Sequence, residues 1–152
     1  MDTPNMIIGI VLSAIILLPI LLINKSVLQK RKRIIAKLDA LAIIDNKKIG
    51  ELDTWTDNSV IGISTDNSKL YFSRNTDHYE KEIAFDLKNI KECTIVNTFK
   101  QGTNNIEKLE LLLELYDSKD RVSLEIFKVD EKNFIIGEEM RIAKKWYSKL
   151  AS

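Results

Sequence analysis

The chain has 152 residues, 45% hydrophobic and 30% charged, with 23 Lys+Arg against 22 Asp+Glu. That near balance hides a division, since residues 1–50 carry 8 basic and 3 acidic side chains (+5) and residues 51–152 carry 15 basic and 19 acidic (−4). The acidic larger part argues against nucleic-acid binding, while a single cysteine (Cys93) excludes an internal disulfide framework or Cys-rich zinc site and a single histidine (His78) excludes multi-histidine metal clusters.

Met6 to Ile23 is an uncharged run of 18 residues, 13 of them Ile, Leu or Val. As a helix it extends about 27 Å, against a hydrocarbon core of about 30 Å. It is apolar on every face, and the remaining chain is too small to enclose it, so a buried soluble helix is a poor account. A cleaved signal peptide is the competing reading. Against it, no Lys or Arg precedes the run and no A-x-A-like site follows it. The segment is therefore expected to be a retained transmembrane anchor, contacting the lipid bilayer through Met6–Ile23.

The flanks set an expected orientation. Lys25, Lys30, Arg31, Lys32, Arg33 and Lys37 follow the run with no acid between them, and only Asp2 precedes it. The positive-inside rule places residues 24–152 in the cytoplasm and the short N-terminus outside. Ser26 and Gln29 fit a capping box, which predicts a new helix beginning at Ser26. Leu28, Ile34, Ile35, Leu38, Leu41 and Ala42 form its apolar stripe. The six cations just named are candidate contacts for anionic lipid headgroups, each contributing about 1 kcal/mol near the surface. The same stripe could pair with a second copy, although it spans fewer than three heptads. The pattern loosens from Asp45 to Asp57, and the expected division is 1–23 tail and anchor, 24–57 basic juxtamembrane helix and linker, and 58–152 folded domain.

The folded part reads as hairpins closed by one helix. Val60–Ser64 and Lys69–Arg74 flank the turn Thr65-Asp66-Asn67-Ser68. Glu82–Asp86 is a short strand, and Asp86-Leu87-Lys88-Asn89 turns into another at Ile90–Thr98. Leu109, Leu111, Leu113 and Leu115 alternate with Glu110, Leu112, Glu114 and Tyr116. Beyond the turn Asp117–Asp120, Val122, Leu124 and Ile126 alternate with Ser123, Glu125 and Phe127. Period-two alternation marks antiparallel strands with one buried face, which puts Leu112 and Phe127 on the outer face as candidate protein contacts. The period then changes. Met140, Ala143, Tyr147 and Leu150 recur at helical spacing beside Trp146, with Glu138 and Glu139 at the start and lysines later, as a helix dipole favours.

This order resembles a bacterial pleckstrin-homology-like (PH-like) domain over residues 58–151, on topology and patterning and without a signature motif. The resemblance implies an α+β architecture: a small antiparallel, partly open β-barrel capped by a C-terminal amphipathic helix, with Trp146, Tyr147 and Leu150 as the plug. Six strands are evident where the family has seven, the seventh coming from 47–56 or 99–106. Some members bind phosphoinositides through a basic strand-turn-strand pocket. Here the turn has Lys69 and Arg74 but also Asp66, so no lipid-binding residue carries over.

The sequence has no phosphate loop, dinucleotide fingerprint, zincin motif or nucleophile elbow. His78 falls in a polar connection, Cys93 in a strand where an inert thiol is expected, and Glu107, Glu110 and Glu114 suit a solvated face. No catalytic residue, metal or cofactor is expected. Three readings follow: a non-enzymatic interaction module held at the cytoplasmic membrane face with a membrane or cytoplasmic protein partner, a lipid-headgroup sensor, and an enzyme using His78.

Overall fold

The computed structural model describes residues 3–55, 59–76, 79–129 and 136–152. A single helix, α1 (Thr3–Ile44), runs unbroken for 42 residues with Pro19 inside it. Near the N-terminus it is long and apolar enough to cross a membrane, and none of its apolar window is buried. The helix start expected at Ser26 does not occur. The chain is already helical there, so the amides a cap would serve are bonded within the helix. α1 ends where Asn46 takes a left-handed backbone (φ 54°). The Asn46 N–H donates to the Ile43 carbonyl (2.9 Å) and the Lys47 N–H to the Ala42 carbonyl (2.8 Å), a Schellman-type ending that Asn tolerates better than most residues.

Among the described residues, seven strands follow in two antiparallel sheets. The first comprises β1 (Ile49–Trp55), β2 (Ser59–Ser64), β3 (Lys69–Thr76) and β4 (Tyr79–Asp86), paired in that order. A 3-10 turn at Leu87–Asn89 leads to the second sheet, β5 (Ile90–Phe99), β6 (Ile106–Leu115) and β7 (Arg121–Lys128). Helix α2 (Glu138–Leu150) closes the chain. The architecture is thus α+β, with two sheets, a long apolar N-terminal helix and a C-terminal helix. β1 lies ahead of residue 58 and within 47–56, one of the two places expected to supply the seventh strand; it pairs with β2 from Ile49↔Ser64 to Trp55↔Ser59. Its sequence, IGELDTW, lacks clean alternation because most of its side chains are half-buried.

The main core lies between the sheets and α2, built from Ile61, Leu70, Phe72, Leu109, Leu111, Leu113, Leu124, Ile126, Ile142 and Trp146 among others. On α2 the buried face is Glu139, Ile142, Ala143, Trp146 and Leu150. Tyr147, expected in the plug, is 39% exposed, and Ile142 takes the inward position instead. The stripe is rotated by about one residue because Trp146, the largest side chain on the helix, takes the centre. Its indole N–H donates to Asp53 Oδ2 of β1 at 2.9 Å, and Lys145 bridges the same carboxylate at 2.6 Å.

A second, smaller core sits on the opposite face of the first sheet. Ile34, Leu38 and Ala42 of α1 pack on Val60 and Tyr71, flanked by Leu41, Ile49 and Leu52. This explains why every residue of β2 is buried: Ile61 and Ile63 face the main core while Val60 and Gly62 face the helix. Gly62 is the notch that admits the helix. A Cβ there would meet Leu38 Cδ2 at 2.9 Å, the Glu51 carbonyl oxygen at 3.2 Å and Leu52 Cβ at 3.2 Å.

Candidate interaction surfaces

The helix–sheet junction is secured at its rim by polar contacts. The Tyr71 hydroxyl donates to Asp45 Oδ2 at 3.1 Å, Lys69 bridges Asp45 at 2.8 Å, and Lys37 reaches Glu82 at 3.7 Å. The Lys69 hydrogen bond holds the Asp45 carboxyl below its ordinary range. Burial, reinforced by Asp45, pushes the Tyr71 phenol up to about 12, so it stays a donor across the physiological range. Sequence reasoning placed Ile34, Leu38, Leu41 and Ala42 on one stripe but had no means of naming the face they cover.

Of the six cations in the basic stretch, only Lys37 forms an ion pair among the described residues. Lys25, Lys30, Arg31, Lys32 and Arg33 are exposed. They stand on the same rod as the apolar run, so the structure presents them along a helix continuous with it and not on a separate helix lying across a surface.

The strand-turn-strand segment around Thr65–Ser68 spends its polar groups internally. At the Thr65–Ser68 turn, Asp66 accepts hydrogen bonds from Lys47 and the Ser64 and Ser68 hydroxyls, which hold its carboxyl far below the usual range. The Ser64 hydroxyl in turn accepts the Ser68 N–H (3.1 Å) and the Lys69 N–H (3.0 Å), and Asn67 supplies the left-handed residue (φ 52°). Lys69 faces Asp45, and Arg74 is buried beside Glu125 at 3.5 Å. Neither cation is presented to solvent as a phosphate receptor.

Phe127 departs from its expected position. It is 2% exposed and belongs to the main core. The cause is a register shift between Leu109 and Glu110: Glu110 pairs with Glu125 and Leu109 with Phe127, so Ile126 is an extra residue on β7 and the alternation reverses beyond it. The Ile126 carbonyl, left out of the ladder, accepts the Trp55 indole N–H at 2.8 Å and Arg74 Nη1 at 2.6 Å. Further along β7, the Ser123 carbonyl accepts Lys81 Nζ at 2.9 Å. Side chains of the first sheet thus bond backbone carbonyls at the edge of the second. Leu112 does stay on the outer face, half-buried, between Thr94 of β5 and Ser123 of β7. Its direct cross-strand partners are both polar, and single partly exposed apolar residues are common on protein surfaces.

Cys93 is 3% exposed and burial pushes its thiol up to about 11, which removes the thiolate needed for nucleophilic chemistry near neutrality. Glu110 is bonded by Lys108 (2.6 Å) and the Ser123 hydroxyl; burial opposes ionisation, but these contacts outweigh it and its carboxyl is lowered. Glu114 is held down by Arg121 at 2.6 Å, with Lys91 at 3.6 Å. Glu114, Lys91 and Arg121 line a cleft at the β6–β7 turn with Tyr116. Glu107 is exposed. His78 lies outside the described residues. Among the described residues, no group of three or more His, Cys, Asp or Glu side chains could hold a metal ion.

No family model, curated protein or solved structure matches this chain.

Proposed function

We propose that the chain is a single-pass, membrane-anchored, non-enzymatic interaction module that presents a PH-like domain at the cytoplasmic face of the plasma membrane on a rigid helical stalk. The observation that carries this reading is the continuity of α1. The same helix contains the apolar run and, from Ile34 to Ala42, the ridge that packs on the first sheet. Ile34 lies eleven residues beyond Ile23, about 16 Å along the axis. The polar layer of one leaflet is only about 5–8 Å deep. A helix crossing the bilayer therefore lifts the domain clear of the headgroups and fixes its orientation, which suits a platform for a protein partner. The 4+3 strand order with a terminal helix supports the PH-like assignment, and the basic flank supports a cytoplasmic domain.

The test is topological. Full-length protein in its native membrane should resist alkaline carbonate extraction. A cysteine-reactive, membrane-impermeant reagent should label an added N-terminal cysteine in intact cells and fail to label one added at the C-terminus. Carbonate release, or the reverse labelling, would refute the reading.

A second reading has its own observation. Lys25 and Lys30, exposed and about 3 and 10 Å beyond Ile23 along α1, stand at or near headgroup level, where each contributes about 1 kcal/mol toward anionic lipid. If they do so, Lys25→Gln with Lys30→Gln should lower enrichment of anionic lipid co-purifying with the protein. Unchanged enrichment would remove lipid sensing.

A further inference from the structure

From the exposed face of α1 we infer a docking surface for an acidic helical segment of another membrane-proximal protein. This inference rests on the proposal that α1 crosses the bilayer. Successive helix residues are rotated by about 100°, so the face opposite Ile34, Leu38 and Ala42 carries Lys32, Arg33, Ala36, Ala40, Ile43 and Ile44. All six are exposed, Ile43 by 69% and Ile44 by 78%. Along the axis the face is ordered: a cationic end nearer the membrane, two small residues, then an aliphatic end, with exposed Asp39 on one flank beside Ala36 and Ile43. Lys32 and Arg33 form no ion pair among the described residues, whereas Lys37, on the flank, pairs with Glu82.

Three occupants can be weighed by distance and charge. The bilayer does not reach: Arg33 stands about 15 Å and Ile43 about 30 Å beyond Ile23 along the helix, past a polar layer of about 5–8 Å. A second copy, inserted in the same orientation, would bring Lys32 and Arg33 of both chains to the same level, and like charges side by side oppose that pairing. A helix with Asp or Glu at the level of Lys32 and Arg33 and aliphatic side chains against Ala36–Ile44 satisfies both halves. Ala36 and Ala40 are small enough to let its backbone approach closely, as small-residue helix contacts do, and Ile43 and Ile44 supply apolar area.

The experiment uses the full-length protein in its native membrane with a photo-crosslinking amino acid at position 40, irradiated at neutral pH and washed with carbonate only afterwards. The expected result is an adduct to a peptide of a different protein carrying Asp or Glu within about two turns of the crosslink. The adduct should fall at least tenfold in the Lys32→Glu/Arg33→Glu variant and return when the acids of that peptide are changed to Lys. An adduct between two copies, an adduct to lipid, no adduct from carbonate-resistant protein, or an adduct indifferent to charge reversal would overturn the inference while leaving the anchor intact. Loss of the protein to the carbonate wash would overturn the anchor and this inference with it.

Discussion

The junction between α1 and the first sheet can be tested by perturbing Leu38 and Gly62 together. Leu38 is fully buried against the outer face of the sheet. Truncation to Ala removes three carbons, about 2.4 kcal/mol at 0.8 kcal/mol per methylene, plus a cavity contribution that puts such changes in the range of about 2–5 kcal/mol. A helix lying on a sheet can settle into part of the gap, so the lower half of that range is expected. Gly62→Val has the opposite fault. Its Cβ would enter a space bounded by Leu38 Cδ2 at 2.9 Å and the Glu51 carbonyl oxygen at 3.2 Å, and overpacking of this kind costs about 1–3 kcal/mol. In the double variant the valine occupies room that Leu38 has vacated, so the two costs should fail to add by about 1 kcal/mol or more. Recovery stays incomplete because the Glu51 carbonyl does not move away. The assay is urea unfolding of the full chain in mild detergent, followed by fluorescence of Trp55 and Trp146, both buried in the main core. Costs that add to within about 0.5 kcal/mol, or a Leu38→Ala cost below about 1 kcal/mol, would show that the helix does not rest in the Gly62 notch.

Three further outcomes are expected. Arg74→Met leaves buried Glu125 with only the longer Lys108 contact at 3.8 Å and should cost about 3 kcal/mol in the same assay, whereas adding Glu125→Leu should restore part of it; equal losses in the single and double variants would refute the pairing. Asp45, Glu51, Glu110 and Glu114 all have carboxyls lowered on folding, by Lys69, by Lys145 and Lys149, by Lys108 and by Arg121 respectively. Groups with depressed folded pKa values contribute stability that is complete above the unfolded value near 4.5 and disappears as pH falls through the folded value. Denaturation midpoints should therefore hold from pH 7 to about 5 and drop below about 4, less so in Asp45→Asn; a flat profile down to pH 3 would contradict these ion pairs. Cys93, with its thiol pushed up to about 11, should resist iodoacetamide at pH 8 in the native protein and react readily in urea; native labelling at the unfolded rate would mean that β5 is not packed as described.

Much of this molecule is written in short-range pattern. The uncharged stretch Met6–Ile23, the alternation along 109–126 and the three-four spacing after Gly137 each reflect a local requirement. A helix must offer one stripe, a strand one face, and a bilayer-length helix no polar face at all, so the elements fall close to where the residues place them. The Ser26 capping box shows the limit of such reasoning, since a cap signal matters only where the preceding chain is not already helical.

Other features depend on what packs against what. β1 is a strand because its half-buried face completes a sheet between α1 and α2, a relation that IGELDTW does not reveal alone. Phe127 turns inward because one bulged residue reverses the period, and that bulge is tolerated because Trp55 and Arg74, 71 and 52 positions away, satisfy the displaced Ile126 carbonyl. Gly62 reads as a flexible residue in a strand until Leu38 is seen to occupy the place of its missing Cβ. Periodicity is a property of neighbours along the chain, whereas bulges, notches and buried ion pairs answer to atoms that only folding brings within a few ångströms. The residues set the elements; long-range contacts decided which faces those elements bury and which face of α1 remains open.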